Sequence, residues 1–207
     1  MTNSSIEIDV STAKFWQNCY QTDDAGWDLN GPTPALQEWC DHLDAPKVIC
    51  VPGSGNGHDA VEFARKGNRV TAVDFASAPI VRMQKIADKE LLDLNAVQKD
   101  IFSLPSHYSS YFDVVVEYIC FCAIDPECRQ DYVNMVNHIL KPGGEFVGFL
   151  YPILKDPDDG ELPFAVNLEE TLEMFGEKFI LIESRLHPLS IERRKGNEQF
   201  VRLSKRG

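Results

Sequence analysis

Along the chain, short β-branched runs alternate with stretches whose apolar positions recur at helical spacing. KVICV (47–51), RVTAVD (69–74), NAVQK (95–99), FDVVVEY (112–118) and GEFVGFLY (144–151) read as strands. Several are apolar on both faces, as strands covered on both sides of a sheet must be. Between them HDAVEFARKG (58–67), SAPIVRMQKIADKE (77–90) and PECRQDYVNMVNHILK (126–141) read as helices, the last stopped by Pro142, Gly143 and Gly144. The alternation predicts a doubly wound α/β sheet of parallel strands with right-handed crossovers.

The flanks break this rhythm. Upstream, Ser11 is positioned to cap a helix TAKFWQNCYQ, and DDAGWDLNGPTPALQEWCDHL carries Trp27 through a turn into a second helix started by Pro34. Downstream, the Pro-, Asp- and Gly-rich stretch 152–167 reads as a long loop, followed by a short helix at 168–176. KFILIESRLHPLSIERR and EQFVRLSK, separated by KGN, then read as a terminal antiparallel hairpin.

A chain of 207 residues, 43% hydrophobic and 25% charged, is long enough for one substantial core. One domain over 1–207 is expected: a helical cover in 1–45, a cofactor-binding core in 46–151, and a lid loop, helix and hairpin in 152–207. The net charge of −12 comes from 32 acidic against 20 basic side chains. It opposes non-specific attraction to nucleic acid and to anionic lipid, and points to a small-molecule partner. Arg193, Arg194, Lys195, Arg202, Lys205 and Arg206 form either a basic patch or merely solvated strand ends. The most apolar stretch, Phe112 to Ile124, is too short to span a bilayer, and the N-terminus carries no secretory pattern. A cytoplasmic protein is therefore expected.

The six cysteines (19, 40, 50, 120, 122 and 128) lie mostly within apolar runs and read as reduced. Cys120 and Cys122 would share one face of a strand. With no further ligands at metal-site spacing, they read as small buried apolar residues and no metal is expected.

The candidate chemistry centres on VICVPGSGNGHDA (48–60), where a strand breaks into Gly53, Gly55 and Gly57. A nicotinamide fingerprint needs a third glycine at position 58, which is His58. A triphosphate loop needs a lysine that the stretch lacks. Asp74, ending the second strand, is placed to reach the hydroxyls of a ribose held over the loop. Asp100 and Ile101 follow the third strand, where an acid and an apolar side chain can meet an adenine. These positions suit an adenosine-bearing cofactor.

Several longer stretches, namely FWQNCYQTDDAGWDLNGPTPAL, VPGSGNGHDAVEFARKGNRVTAVDFA, FDVVVEYICFCAIDPECR and LKPGGEFVGFLYPI, make the chain resemble the class I S-adenosylmethionine-dependent methyltransferases. Within that class it is similar to the thiopurine methyltransferases and the thiol or halide methyltransferases of plants and bacteria, from about Phe15 to Arg206. The resemblance implies a Rossmann-like seven-stranded sheet of order 3-2-1-4-5-7-6 with the last strand antiparallel. It also implies S-adenosyl-L-methionine as cofactor and a monomer. It assigns Trp16 and Trp27 to a cover over the cofactor, and Gly53 and Gly55 to its methionine end and ribose. Asp74, with Phe75 beside it, goes to the ribose hydroxyls, Asp100 and Ile101 to the adenine, and Tyr118 to the surroundings of the transferred methyl. The glycine loop and Tyr118 lean toward the thiol and halide branch.

The expected reaction is methyl transfer to a small thiol or another polarisable nucleophile such as sulfide, halide or a thiopurine. The donor is already activated and a thiol is partly ionised near neutrality, so no strong base is required. Tyr151, Phe121, Cys122 and Arg129 are the candidate acceptor-pocket residues, with pairing to Asp125 the alternative for Arg129, and 152–167 is a candidate lid. A small-molecule N- or O-methyltransferase would instead need a base, for which His107 and Glu117 are the candidates. A nicotinamide-dependent oxidoreductase is disfavoured by His58 and by the terminal hairpin.

Overall fold

The computed structural model describes residues 9–22 and 24–207. Strands β1 (Val48–Pro52), β2 (Arg69–Asp74), β3 (Leu94–Gln98), β4 (Phe112–Tyr118) and β5 (Leu140–Leu150) are joined in parallel. The last strand, β7 (Gln199–Lys205), inserts antiparallel between β5 and β6 (Phe179–Arg185). The resulting order is β3-β2-β1-β4-β5-β7-β6, as the resemblance implies.

Alternate residues of each strand feed two cores, which is the period-2 geometry of a sheet covered on both faces. Ile49, Val114, Val116 and Val147 pack with helices α2 (Pro34–Asp41), α3 (His58–Arg65) and α4 (Ser77–Glu90). Cys50, Val115 and Phe146 pack on the opposite side with α5 (Arg129–Ile139) and α6 (Leu168–Phe175). Helix α1 (Ala13–Gln21) precedes them all. No helix among the described residues is long and apolar enough to cross a membrane.

Four local expectations need correction. The cap of α1 is Thr12, whose hydroxyl accepts from Phe15 N, while Ser11 instead donates to Asp9. The helix expected over 126–141 divides into a 3-10 turn at Pro126–Cys128 and α5, and β5 begins directly at Leu140, which pairs with Phe112. Tertiary pairing there overrides helical period. The turn between β6 and β7 is not KGN but the whole of 186–198, because His187, Arg194 and Glu198 are buried and draw that connection inward. Lastly, the basic cluster is not a patch. Arg202 pairs with Glu145 at 2.9 Å, Lys205 donates to the carbonyls of Asn137 and Leu140, and Arg193 and Arg194 point to the cavity described next.

Candidate active site

A cavity of about 800 Å³ opens at the C-terminal ends of β1, β2 and β4. This is the usual ligand position of an open parallel sheet, at a volume suited to a cofactor with its substrate. One wall is backbone. Gly53 and Gly57 hold φ of +59° and +74°, and a Cβ on either would collide with Cys120 Sγ at 2.5 Å or Met83 Sδ at 2.1 Å. Gly57 is thus a packing glycine that lets α3 settle on α4, and His58 can begin the helix without a third glycine beside it.

Asp74 does not face water as an ordinary strand-end acid would. It is 8% exposed, and its carboxylate accepts from Gly55 N at 2.8 Å and Ala76 N at 2.9 Å, so it ties the glycine loop to the start of α4. Burial raises its pKa against those backbone donors. Phe75 lines the cavity beside it. Asp100 caps a 3-10 turn by accepting from Phe102 N, which sets Ile101 against the cavity.

The tryptophans form the roof. Trp16 and Trp27 meet edge to face at 5.6 Å, and Tyr20 meets Trp27 likewise at 5.8 Å. Helix α1 holds this cluster over the sheet through Gln17, whose Oε1 accepts from Ser77 N at 2.8 Å and so caps α4, a helix with no side-chain cap of its own. Burial raises the pKa of Tyr20, with Asp74 adding to the shift.

At the far end, the Arg194 guanidinium lies 4.9 Å over the Tyr118 ring and 5.0 Å over that of Tyr151. Arg194 is 4% exposed and donates through Nη2 to Trp27 O at 3.1 Å; its Nη1 and the Tyr118 hydroxyl are buried without a hydrogen-bond partner. Arg193 donates to the carbonyls of Gly26, Trp27 and Asp28. The β6–β7 connection therefore clasps the segment that carries Trp27.

Cys122 lines the cavity, in a turn beyond the end of β4 and not on a strand face; burial pushes its thiol up to about 12. Phe121 and Arg129 do not line it. Phe121 is 1% exposed and packs on Tyr132, with Arg129 stacked 4.9 Å over its ring and donating to Ala165 O at 2.8 Å. Arg129 thus anchors the loop 152–167 from behind, instead of facing an acceptor or pairing with Asp125. The same loop is pinned by Phe164 N on Cys122 O, and its Leu162 and Pro163 reach the cavity.

Neither base candidate is at the cavity. His107 lies outside it, against Lys99 at 2.6 Å. Glu117 is fully buried behind the wall, accepting from Cys120 N, Phe121 N and the Tyr132 hydroxyl, and burial raises its pKa to about 7. Sequence reasoning missed Tyr20, Arg194 as a cavity residue, and a pair formed by His58 and Asp28. The linear signals for that pair are the Trp-Asp and Gly-His-Asp contexts at 27–28 and 57–59.

Residues 11–203 match the thiopurine S-methyltransferase family. Thiocyanate methyltransferase 1 of Brassica oleracea is 30% identical over 196 residues, covering 92% of this chain and 84% of that one. Thiopurine S-methyltransferase of Vibrio campbellii is 24% identical, covering 78% and 81%. Among solved structures, 1,6-didemethyltoxoflavin-N1-methyltransferase of Burkholderia thailandensis, with bound 1,6-didemethyltoxoflavin and S-adenosylhomocysteine, superposes with a TM-score of 0.75 at 19% identity, covering 94% of this chain and 87% of that one. Fold and matches together define an S-adenosylmethionine-dependent methyltransferase with a Rossmann-like sheet. Within that class, the chain belongs to the thiopurine S-methyltransferase family.

Proposed function

We propose that the protein transfers a methyl group to the sulfur of a small thiol, or to a similarly polarisable nucleophile, held against Tyr151, Arg194 and Cys122. The observation that carries this reading is the far end of the cavity, where one buried arginine, stacked on Tyr118 and Tyr151, faces a largely apolar surround. A cation with an unpartnered Nη1 favours an acceptor with negative charge on a soft atom. Cys122, kept protonated by burial, serves as polarisable wall and not as nucleophile. The relatives' names, thiocyanate and thiopurine S-methyltransferase, support the same acceptor class.

The residues present fit the cofactor. A Cβ at Gly53 would collide with Cys120 and one at Gly55 would stand 3.2 Å from the Tyr20 hydroxyl, both cavity-lining residues, so the loop keeps its backbone bare on that side. Asp74 retains lone pairs for ribose hydroxyls beside Phe75, Asp100 and Ile101 flank the adenine, and Trp16, Trp27 and Tyr20 cover the whole. Tyr118 stands beside the methyl. Bound there, S-adenosylmethionine supplies an activated methyl, and the protein's work is alignment and exclusion of water. The loop 152–167 closes the rim, and the single domain works as a cytoplasmic monomer.

Incubation with labelled S-adenosylmethionine and a panel of thiols, sulfide, iodide and thiopurines tests this reading. Transfer to a thiol or polarisable anion is expected. Tight binding of S-adenosylhomocysteine without transfer to any of them would overturn the acceptor assignment.

A further inference from the structure

His58 and Asp28 come from segments on opposite sides of β1, and both line the cavity. Their side chains are 20% and 11% exposed, and His58 Nε2 stands 2.9 Å from Asp28 Oδ1. Nε2 is buried, and the Asp28 carboxylate lies within ion-pair distance of it without an aligned hydrogen bond. Asp28 is itself fixed, its Oδ1 accepting from Asn30 N at 2.7 Å and its Oδ2 from the Asn56 amide. Burial would raise the Asp28 pKa, but the Asn56 amide, Asn30 N–H and His58 outweigh it and hold the group below the ordinary carboxylate value. The pair adjoins the acceptor end, because Arg193 donates to Asp28 O at 3.3 Å and Arg194 donates to the neighbouring Trp27 O.

We infer that His58, oriented by Asp28, is the general base that deprotonates a thiol acceptor. This rests on the thiol reading above. An ionised acid this close to one imidazole nitrogen favours the tautomer protonated there, which leaves Nδ1 to take a proton. In the step, the S–H proton passes to Nδ1 and the freed sulfur pair forms the bond to the methyl. The methyl's old bond breaks onto the sulfonium sulfur, leaving a neutral thioether, and the imidazolium later releases its proton to water. An alkyl thiol is mostly protonated at neutral pH, so it gains from such a base. An acceptor that is already anionic does not.

The test compares two thiols, 2-mercaptoethanol and an electron-poor aryl thiol fully ionised at the assay pH, in wild type, His58→Gln and Asp28→Asn. With the base at work, kcat/KM for the alkyl thiol falls about 100-fold in His58→Gln, the low end of general-base effects. Turnover of the aryl thiol stays within a few-fold, and calorimetric affinity for S-adenosylhomocysteine is unchanged. Asp28→Asn shows the same selective loss in smaller measure. Equal loss on both thiols, weakened S-adenosylhomocysteine binding, or no loss on either would overturn the inference, the first two because the pair would then only fasten the Trp27 segment or hold the cofactor. Wild-type protein that methylates neither thiol overturns the acceptor reading and the base with it, a failure seen before any substitution is made.

Discussion

The glycine-loop end of the cavity and its far end differ in how they are held. At the glycine loop the ties are short in sequence: Asp74 reaches Gly55 across 19 residues, through hydrogen bonds to backbone from the end of one strand to the loop after its neighbour. At the far end, Arg194 reaches Trp27 across 167 residues, and Tyr118 from the end of β4 meets Cys122, Tyr151 and Arg194 from three separate connections. The first is a strand-end geometry that a parallel sheet supplies almost unaided. The second is assembled mostly from side chains on loops, where substitution changes a contact without disturbing the sheet. A common cofactor at one end and a variable acceptor at the other suit that division.

The comparison breaks hardest at the glycine loop. Gly57→Ala combines a left-handed backbone with a Cβ 2.1 Å from Met83 Sδ in a fully packed core, and is expected to cost about 3–4 kcal/mol in denaturant unfolding. Next comes the pH dependence of the turn behind Cys120. The Glu117 carboxyl is raised from 4.5 to about 7 by burial, so the folded chain keeps a proton that the unfolded chain gives up. Stability therefore falls as pH rises from about 4.5 through about 7, by a loss on the order of 3 kcal/mol. Unfolding of Glu117→Gln across that range should lack this part of the slope.

Smaller effects separate the ends functionally. Asp74→Asn keeps one acceptor oxygen where Gly55 N and Ala76 N need two, and it weakens the ribose contact proposed for this carboxylate. S-adenosylhomocysteine affinity should drop at least about tenfold, or about 1.4 kcal/mol, by calorimetry. Arg194→Gln removes the cation stacked on Tyr118 and Tyr151, worth about 1 kcal/mol. Its kcat/KM for a thiol should fall roughly fivefold, a larger loss than that in S-adenosylhomocysteine affinity. If Arg194→Gln loses cofactor affinity instead, the two ends are not separable.

Much of the first region was legible in the linear sequence. The β-branched runs marked β1 to β5 because strands covered on both faces must be apolar throughout, and the three glycines marked the loop. Asp74, Asp100 and Ile101 could be placed because they sit at fixed offsets from strand ends. The far end was legible only in part. Phe121 shares a turn with Cys122 and Arg129 begins α5, yet both point behind the wall, a distinction that apolar character alone does not encode. The 186–198 connection resembled strand and turn by composition, but its buried His187, Arg194 and Glu198 answer to distant partners.

By itself, the sequence determined the alternating sheet, the position of the loop that admits an adenosine, and a family resemblance that sets strand order. The first two follow from local periodicity and from offsets along single elements, and the strand order from the resemblance of whole segments. Only the tertiary structure decided that Arg194 stacks on Tyr118 and Tyr151, that Glu117 lies behind the cavity wall, and that His58 meets Asp28. Each joins residues well separated along the chain, and such meetings depend on how packed elements orient their side chains, which composition and spacing leave open.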